Sequence, residues 1–262
     1  MIEIPRAQGA LLAPFFAYTP VTLILSYTQG HMGRGWVDRL PDPTCARVIT
    51  GDYCALAGDH RSDGAAKLAR DMPEGTKMLL IAPQNEHWSA LIEAAHPQYD
   101  KYLRYAIKKE PDCFDKARLQ AFIDALPAEL RLKRIDAELY DLCLTKQNYM
   151  RDFVSQFDSA TDYLARGIGY CVLDGETIVS GASSYTVYDG GIEIEIQTEK
   201  AYRRRGLALC CAAQLILQCL AEGRYPSWDA ANLKSVALAE KLGYHLDYAY
   251  DTYEIDFTKE TS

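Results

Sequence analysis

Long apolar runs are missing from this sequence. None reaches the roughly 18 residues a membrane helix needs, so no membrane span is expected. Residues 1–6 are followed by no apolar core with a small-residue cleavage site, so a cytoplasmic location is expected. CxxC pairs are absent among the 8 cysteines, and the 5 histidines lie too far apart for a zinc motif. The thiols therefore read as reduced and mostly buried, and no metal is expected. Excess positive charge is lacking as well: 28 basic against 36 acidic residues leave a net charge of −8. Such a chain sets up no general field for a nucleic-acid backbone, and any anion has to be held locally. No GxxxxGK[ST] loop occurs, and Gly167-Ile-Gly169 is only a fragment of a dinucleotide fingerprint. Internal repeats and low-complexity segments are not visible.

What is present is a globular composition. The 262 residues are 48% hydrophobic and 24% charged, with a mean hydropathy of −0.20. A chain of this length buries about three quarters of its unfolded surface and fits one large domain or two modest ones. A proline and several charges between Leu126 and Leu132 place a boundary near residue 130, giving domains 1–130 and 131–262. In the first, strands are expected over residues 21–25, 47–56 and 77–81. Ser62 and Asn85 can cap helices, the second carrying Trp88, Leu91, Ile92 and Ala95 on one face, and Asp112 or Asp115 begins a third.

The second half has a sharper grammar. Helical stretches over 136–144 and 152–164 lead into strands over 169–173, 177–185 and 191–198. Asp174-Gly175 and Asp189-Gly190-Gly191 join these strands as an antiparallel meander. An arginine-rich turn follows, then an apolar helix over 207–222 on which Gln214, Gln218 and Glu222 form one narrow polar stripe. A short strand over 227–230, a helix over 233–242 ended by Gly243 and a strand over 246–255 complete the chain.

Within that half, Ile192-Glu-Ile-Glu-Ile-Gln-Thr198 runs into Glu199-Lys-Ala-Tyr-Arg203-Arg-Arg-Gly206-Leu-Ala208. A strand feeding a glycine turn that opens a helix points unpaired N–H groups at one spot, where the helix dipole also favours negative charge. Gly206 lets backbone approach an anion, and Arg203, Arg204 and Arg205 add charged donors. The bland alternative is a solvated basic loop ahead of a core helix.

The pattern R-x-x-G-x-A after a strand, then a buried helix, Trp228-Asp-Ala-Ala-Asn232-Leu-Lys-Ser235 and Ala239-Glu-Lys-Leu-Gly243-Tyr244, resembles the GCN5-related N-acetyltransferases over about residues 131–262. Together with Gly51-Asp-Tyr-Cys-Ala-Leu-Ala-Gly58 and Tyr105-Ala-Ile-Lys-Lys-Glu110, it also looks like the bacterial subgroup that includes the zwittermicin A resistance acetyltransferase. The resemblance implies an α/β (α+β) fold with a mixed, mostly antiparallel twisted sheet flanked by helices. The N-terminal α/β domain then reads as a degenerate half of the same kind.

The resemblance further implies acetyl transfer from acetyl-CoA to a primary amine, with a small molecule as acceptor and a homodimer open as the assembly. Carried over by position, Ile196 and Thr198 meet the pantetheine. Arg203, Arg204, Arg205, Gly206, Leu207 and Ala208 hold the pyrophosphate, and Asn232 and Ser235 lie beside the arm. Asn232 reads equally as a helix cap.

Direct transfer needs a base for the amine, and the carboxylates at hand are Glu195 and, second, Glu193. Strand alternation puts both with Gln197 on one face, unless a bulge shifts the parity. The tyrosine that relatives use as general acid falls on Ala239. That absence keeps a second reading open, a non-catalytic acetyl-CoA sensor, beside a third, a protein or peptide N-acetyltransferase.

Overall fold

The computed structural model describes residues 1–17, 21–145 and 149–259. Its contacts divide into two compact units, the first made of residues 1–104 with 249–262 and the second of residues 105–248. In chain order the first contains β1 (Ile2–Ile4), a 3-10 helix (Arg6–Phe16), α1 (Leu23–Thr28), β2 (Arg34–Val37), β3 (Cys45–Thr50), β4 (Tyr53–Gly58), α2 (Asp63–Arg70), β5 (Met78–Pro83) and α3 (Glu86–Ala95). Strand β6 (Asp100–Ile107) carries the chain into the second unit. There follow α4 (Lys116–Asp124), β7 (Leu130–Arg134), α5 (Ala137–Thr145), α6 (Ala160–Arg166), β8 (Gly169–Asp174), β9 (Thr177–Tyr188), β10 (Gly191–Thr198), α7 (Leu207–Ala221), β11 (Tyr225–Ser227), β12 (Asp229–Ala230) and α8 (Leu233–Leu242). Strand β13 (Leu246–Asp256) returns to the first unit. Residue 130, where the sequence suggests a boundary, opens β7 inside the second unit. The mixed α/β class with mostly antiparallel pairing agrees with the sequence reading.

In the first unit the strands run β1-β2-β3-β4-β5-β13-β6, so the C-terminal strand lies beside β5, pairing Tyr253 with Ile81 and Asp256 with Met78. Trp36, Leu56, Leu68, Ile81, Trp88 and Tyr253 share its core. Two expectations fail here. Residues 21–25 do not form a strand. They enter α1, where Leu23, Ile24 and Tyr27 are buried at helical spacing and the Tyr27 hydroxyl donates to the Ile4 carbonyl at 2.7 Å, so packing outweighs β propensity. The single strand expected over 47–56 is a hairpin: Thr50 pairs with Tyr53 around Gly51, whose φ of 63° suits the turn.

The second unit is built on the sheet β11-β10-β9-β8-β7, with α7 packed across β8, β9 and β10. The meander forms as its turn residues dictate. The helix expected over 152–164 breaks into a 3-10 turn (Tyr149–Phe153) and α6, whose N-terminus Ser159 caps by accepting from Asp162 N. On α7, Gln218 donates to Glu222 at 2.9 Å and accepts from the Tyr170 hydroxyl at 3.3 Å, which uses the polar stripe. The strand expected over 227–230 divides at Trp228. β11 pairs in parallel with β10, whereas Asp229 and Ala230 of β12 pair with Ala106 and Tyr105.

One order recurs in both units: a strand, a helix, a strand parallel to the first, and a helix capped by asparagine. It appears as β4-α2-β5-α3 and as β10-α7-β11-α8, the second with the two-residue β12 between β11 and α8. Asn85 accepts from His87 N and Trp88 N, and Asn232 accepts from Lys234 N and Ser235 N. The repeat lies in topology and capping chemistry. No self-similarity of the residues between accompanies it in the sequence.

Candidate functional site

The two versions of this order differ at the end of the parallel pair. β4 and β5 stay joined from Tyr53–Leu80 to Leu56–Pro83. Just beyond, Gly58 N donates to Gln84 Oε1 at 3.0 Å, and Gly58 O accepts from Nε1 of the fully buried Trp88 at 3.1 Å. The gap between those strands is closed.

In the second unit, β10 and β11 are paired only from Gly191–Tyr225 to Glu193–Ser227, and Ile194 to Thr198 continue without β11. Beside them opens a cleft of about 670 Å³, walled by the end of β10, the start of α7 and one face of α8.

Nine of the ten residues expected to hold the donor line this cleft: Ile196, Thr198, Arg203, Arg204, Gly206, Leu207, Ala208, Asn232 and Ser235. Arg205 does not. It turns to Glu129, 3.1 Å away, with its guanidinium over the Tyr202 ring. Arg203 Nε donates to the Thr198 carbonyl at 3.2 Å, tying the loop to the strand end. Thr198 Oγ1 shares a hydrogen bond with Ser180 Oγ at 2.7 Å. Lys234 and Lys241 also line the space, and no Asp or Glu does so among the described residues. Neither lysine stood out in the sequence, because only the α8 geometry brings them to the cleft.

At the head of α7, Gly206 has φ 79° and Arg204 φ 63°. No side chain caps the helix. A Cβ built at Gly206 would meet open space, so glycine is required there by the backbone turn and not by protein packing. Uncapped N–H groups, two arginines aimed at the cleft and the lack of carboxylates suit a di- or polyanionic ligand. Asn232 spends its Oδ1 capping α8, at 3.0 Å from Lys234 N and 3.1 Å from Ser235 N. Ser235 Oγ accepts from Trp228 Nε1 at 3.0 Å, which keeps the indole beside the α8 entry.

The two carboxylates differ. Glu193 is 5% exposed and Glu195 half-buried. The register shift lies opposite the step from Glu193 to Ile194, and the extra residue is Tyr185 of β9, because β9 passes from Thr186 to Ser184 there. The bulge anticipated in β10 is thus carried by its neighbour, and β10 itself has no inserted residue.

Around Glu193 gather phenols. The Tyr188 hydroxyl shares a 2.7 Å bond with Ser227 Oγ, and Tyr244 donates to Pro226 O at 2.6 Å. Burial, with some help from the Glu193 charge, pushes the Tyr225 phenol up to about 12 and raises those of Tyr188 and Tyr244 as well, so all three stay neutral. Lys109 Nζ lies 4.4 Å from the centre of the Tyr188 ring. Desolvation lowers its pKa, and the Glu193 charge opposes that. Ala239 is fully buried in α8, so no phenol reaches the cleft from that position.

The sequence matches the GNAT acetyltransferase family over residues 13–253. A solved GCN5-related N-acetyltransferase-like protein from Streptococcus suis is 41% identical, with a TM-score of 0.86 over 96% of this chain and 99% of that one. An uncharacterized N-acetyltransferase of Bacillus subtilis, YdfB, is 29% identical over 206 residues, 76% of each chain. A tandem GNAT protein from the clavulanic acid biosynthesis pathway shares the fold, with a TM-score of 0.53 at 13% identity over 96% of this chain and 94% of that one. This chain belongs to the GNAT acetyltransferase family.

Proposed function

We propose that this GNAT acetyltransferase binds acetyl-CoA in the cleft beside β10 and passes the acetyl group to a primary amine of a small molecule. The observation that carries the reading is the parting of β10 and β11 after Glu193–Ser227, directly beside an uncapped, arginine-flanked helix N-terminus. An extended thioester arm fits between the separated strands, and its anionic end fits the head of α7. The bound donor supplies an activated acyl carbonyl. Backbone N–H groups along Ile196 to Thr198 are the donors available to its developing oxyanion. Glu195, or Glu193, takes the proton of the attacking amine, and the half-buried setting of Glu195 leaves it open to an acceptor.

With Ala239 in the place of the usual tyrosine, the thiolate departs without a side-chain acid from α8. That same position favours the second reading, a coenzyme sensor without turnover. The subgroup resemblance points to an amino-containing antibiotic as acceptor, and a cytoplasmic location suits that substrate.

A thermal melt with and without acetyl-CoA, followed by mass spectrometry of an amine panel on the same sample, tests the reading. Saturation at about 100 times Kd adds roughly 2.7 kcal/mol, which raises the midpoint by several degrees. A shift with acetylated product supports transfer, a shift without product across the panel supports the sensor, and no shift removes the coenzyme reading.

A further inference from the structure

Acetyl transfer to an amine needs an unprotonated nitrogen close to a carboxylate at the point where β10 and β11 part. The chain sets an amine of its own near that point. Lys109, in the segment after β6, has its backbone held on both sides by one phenol. The Tyr225 hydroxyl donates to the Lys108 carbonyl at 3.1 Å and accepts from Glu110 N at 3.0 Å. From between these two bonds the Lys109 side chain runs to Tyr188, with Nζ 4.4 Å from the ring centre. That ring is fixed in turn. A Cβ at Gly191 would collide with it, and its hydroxyl shares the 2.7 Å bond with Ser227 Oγ. Gly191 and Glu193, about 7 Å apart along β10, share one face of that strand. Glu193–Ser227 is the last pair before the strands separate. Lysine, carboxylate and strand opening all belong to the second unit.

Electrostatics set Lys109 apart from other lysines of the chain. Hydrogen bonds to Tyr253 and to Asp136 raise the pKa of Lys101 and of Lys133, which keeps both as non-nucleophilic ammonium groups. Desolvation lowers that of Lys109, with the Glu193 charge in opposition. The residue as a whole stays exposed, although its ammonium lies against the ring.

From this placement we infer that Lys109 is a modification site, an acetyl acceptor within the chain that takes the acetyl group of the bound thioester when no outside amine is present. The inference rests on the coenzyme reading and adds a covalent outcome to it. In the step, one ammonium proton passes to the Glu193 carboxylate and the freed Nζ attacks the acyl carbon. The C–N bond forms, and the C–S bond breaks with its electron pair leaving on sulfur. A second N–H proton goes to that thiolate. The products are an acetylated lysine, a protonated Glu193 and a free thiol. The amide is neutral, so the transfer also removes the positive charge beside Glu193.

The full chain, incubated with acetyl-CoA and no amine, then digested and read by tandem mass spectrometry, tests this. One acetyl group is expected on Lys109, while the adjacent Lys108, also exposed, stays unmodified and controls for plain chemical acetylation. The rate should hold constant over an about tenfold range of protein concentration, as for transfer within one chain. Lys109→Arg keeps a cation on the Tyr188 ring. It should melt as the parent does, respond to acetyl-CoA with the same thermal shift and take up no acetyl group. A parent chain that shifts with acetyl-CoA but stays unmodified at Lys109 would overturn the inference and leave the coenzyme reading intact. Equal labelling of Lys108 and Lys109, or a rate that rises in proportion to protein concentration, would overturn it as well. No thermal shift with acetyl-CoA would remove the coenzyme reading and the modification site together.

Discussion

Arg205 and Glu129 form an ion pair at 3.1 Å that turns the third arginine of the loop away from the cleft its two neighbours line. Three consecutive arginines are equivalent in the sequence, but the backbone separates them: Arg204 takes φ 63°, and the chain then turns again at Gly206. Arg204→Ala should therefore weaken acetyl-CoA binding by roughly tenfold, the loss expected for one charge-assisted contact. Arg205→Ala should leave it within about twofold. Calorimetry on the two variants checks the order, and a larger loss at Arg205 would refute this view of the loop.

Gly206 carries a different kind of constraint. Its left-handed φ costs a non-glycine residue about 1 kcal/mol, although the space around it is open. Gly206→Ala should lower the melting temperature by a few degrees and keep part of the affinity. Gly206→Glu adds an anion to a site built for anions and should abolish binding. Retained affinity in the glutamate variant would place the coenzyme elsewhere.

The strand, loop and helix around this glycine were legible because local chemistry fixes them. Gly206, Gly223 and Gly243 mark helix ends, and the alternation from Ile192 to Gln197 marks a strand. Less legible were features set by distant partners. Residues 21–25 read as a strand until α1 buries them on a helical face. β12 separates from β11 because Asp229 and Ala230 pair with Ala106 and Tyr105, more than a hundred residues earlier. Tyr185 as the bulged residue cannot be found by counting along β10, because the irregularity belongs to β9. Lys234 and Lys241 read as ordinary surface lysines until α8 is set beside the cleft.

The carboxylate pair makes a separable prediction. Glu195→Gln should reduce acetyl transfer on the order of a hundredfold, within the usual range for loss of a general base, with little change in coenzyme affinity. Glu193→Gln should change transfer less and stability more, since its carboxylate is buried among Tyr188, Tyr225 and Tyr244. Rate against pH for the two variants decides between them. A Glu195→Gln enzyme with the parent profile would remove Glu195 from the chemistry.

In the first unit, Asp38 accepts from Thr44 N at 2.8 Å, Thr44 Oγ1 at 2.7 Å and Cys45 N at 3.2 Å. Desolvation raises its pKa, but these bonds outweigh that and hold it below the ordinary 3.8. A depressed carboxyl stabilises the fold in full above its unfolded value, and the contribution fades as pH falls through the lower folded one. Asp38→Asn should therefore flatten the acid side of the stability curve, with most of its cost visible near neutral pH. Urea denaturation between about pH 2 and pH 7 measures this, and parallel curves for parent and variant would show that Asp38 titrates alike in both states.

The C-terminal strand gives the last test. β13 pairs Tyr253 to Asp256 with β5, although about 160 residues separate the two strands in sequence, and Tyr253 and Ile255 are fully buried in the first unit's core. Removing residues 249–262 would strip one side of β5, leave a row of unpaired backbone groups and empty two core positions. The cleft residues all lie within 105–248 and keep their sequence neighbours. The shortened chain should lose the first unit's cooperative unfolding and expose Trp88 and Trp36, which sit in that core. Tryptophan fluorescence with limited proteolysis reads this directly: early cleavage within residues 1–104 is expected, whereas a first unit as resistant as in the full chain would mean β13 is dispensable to it.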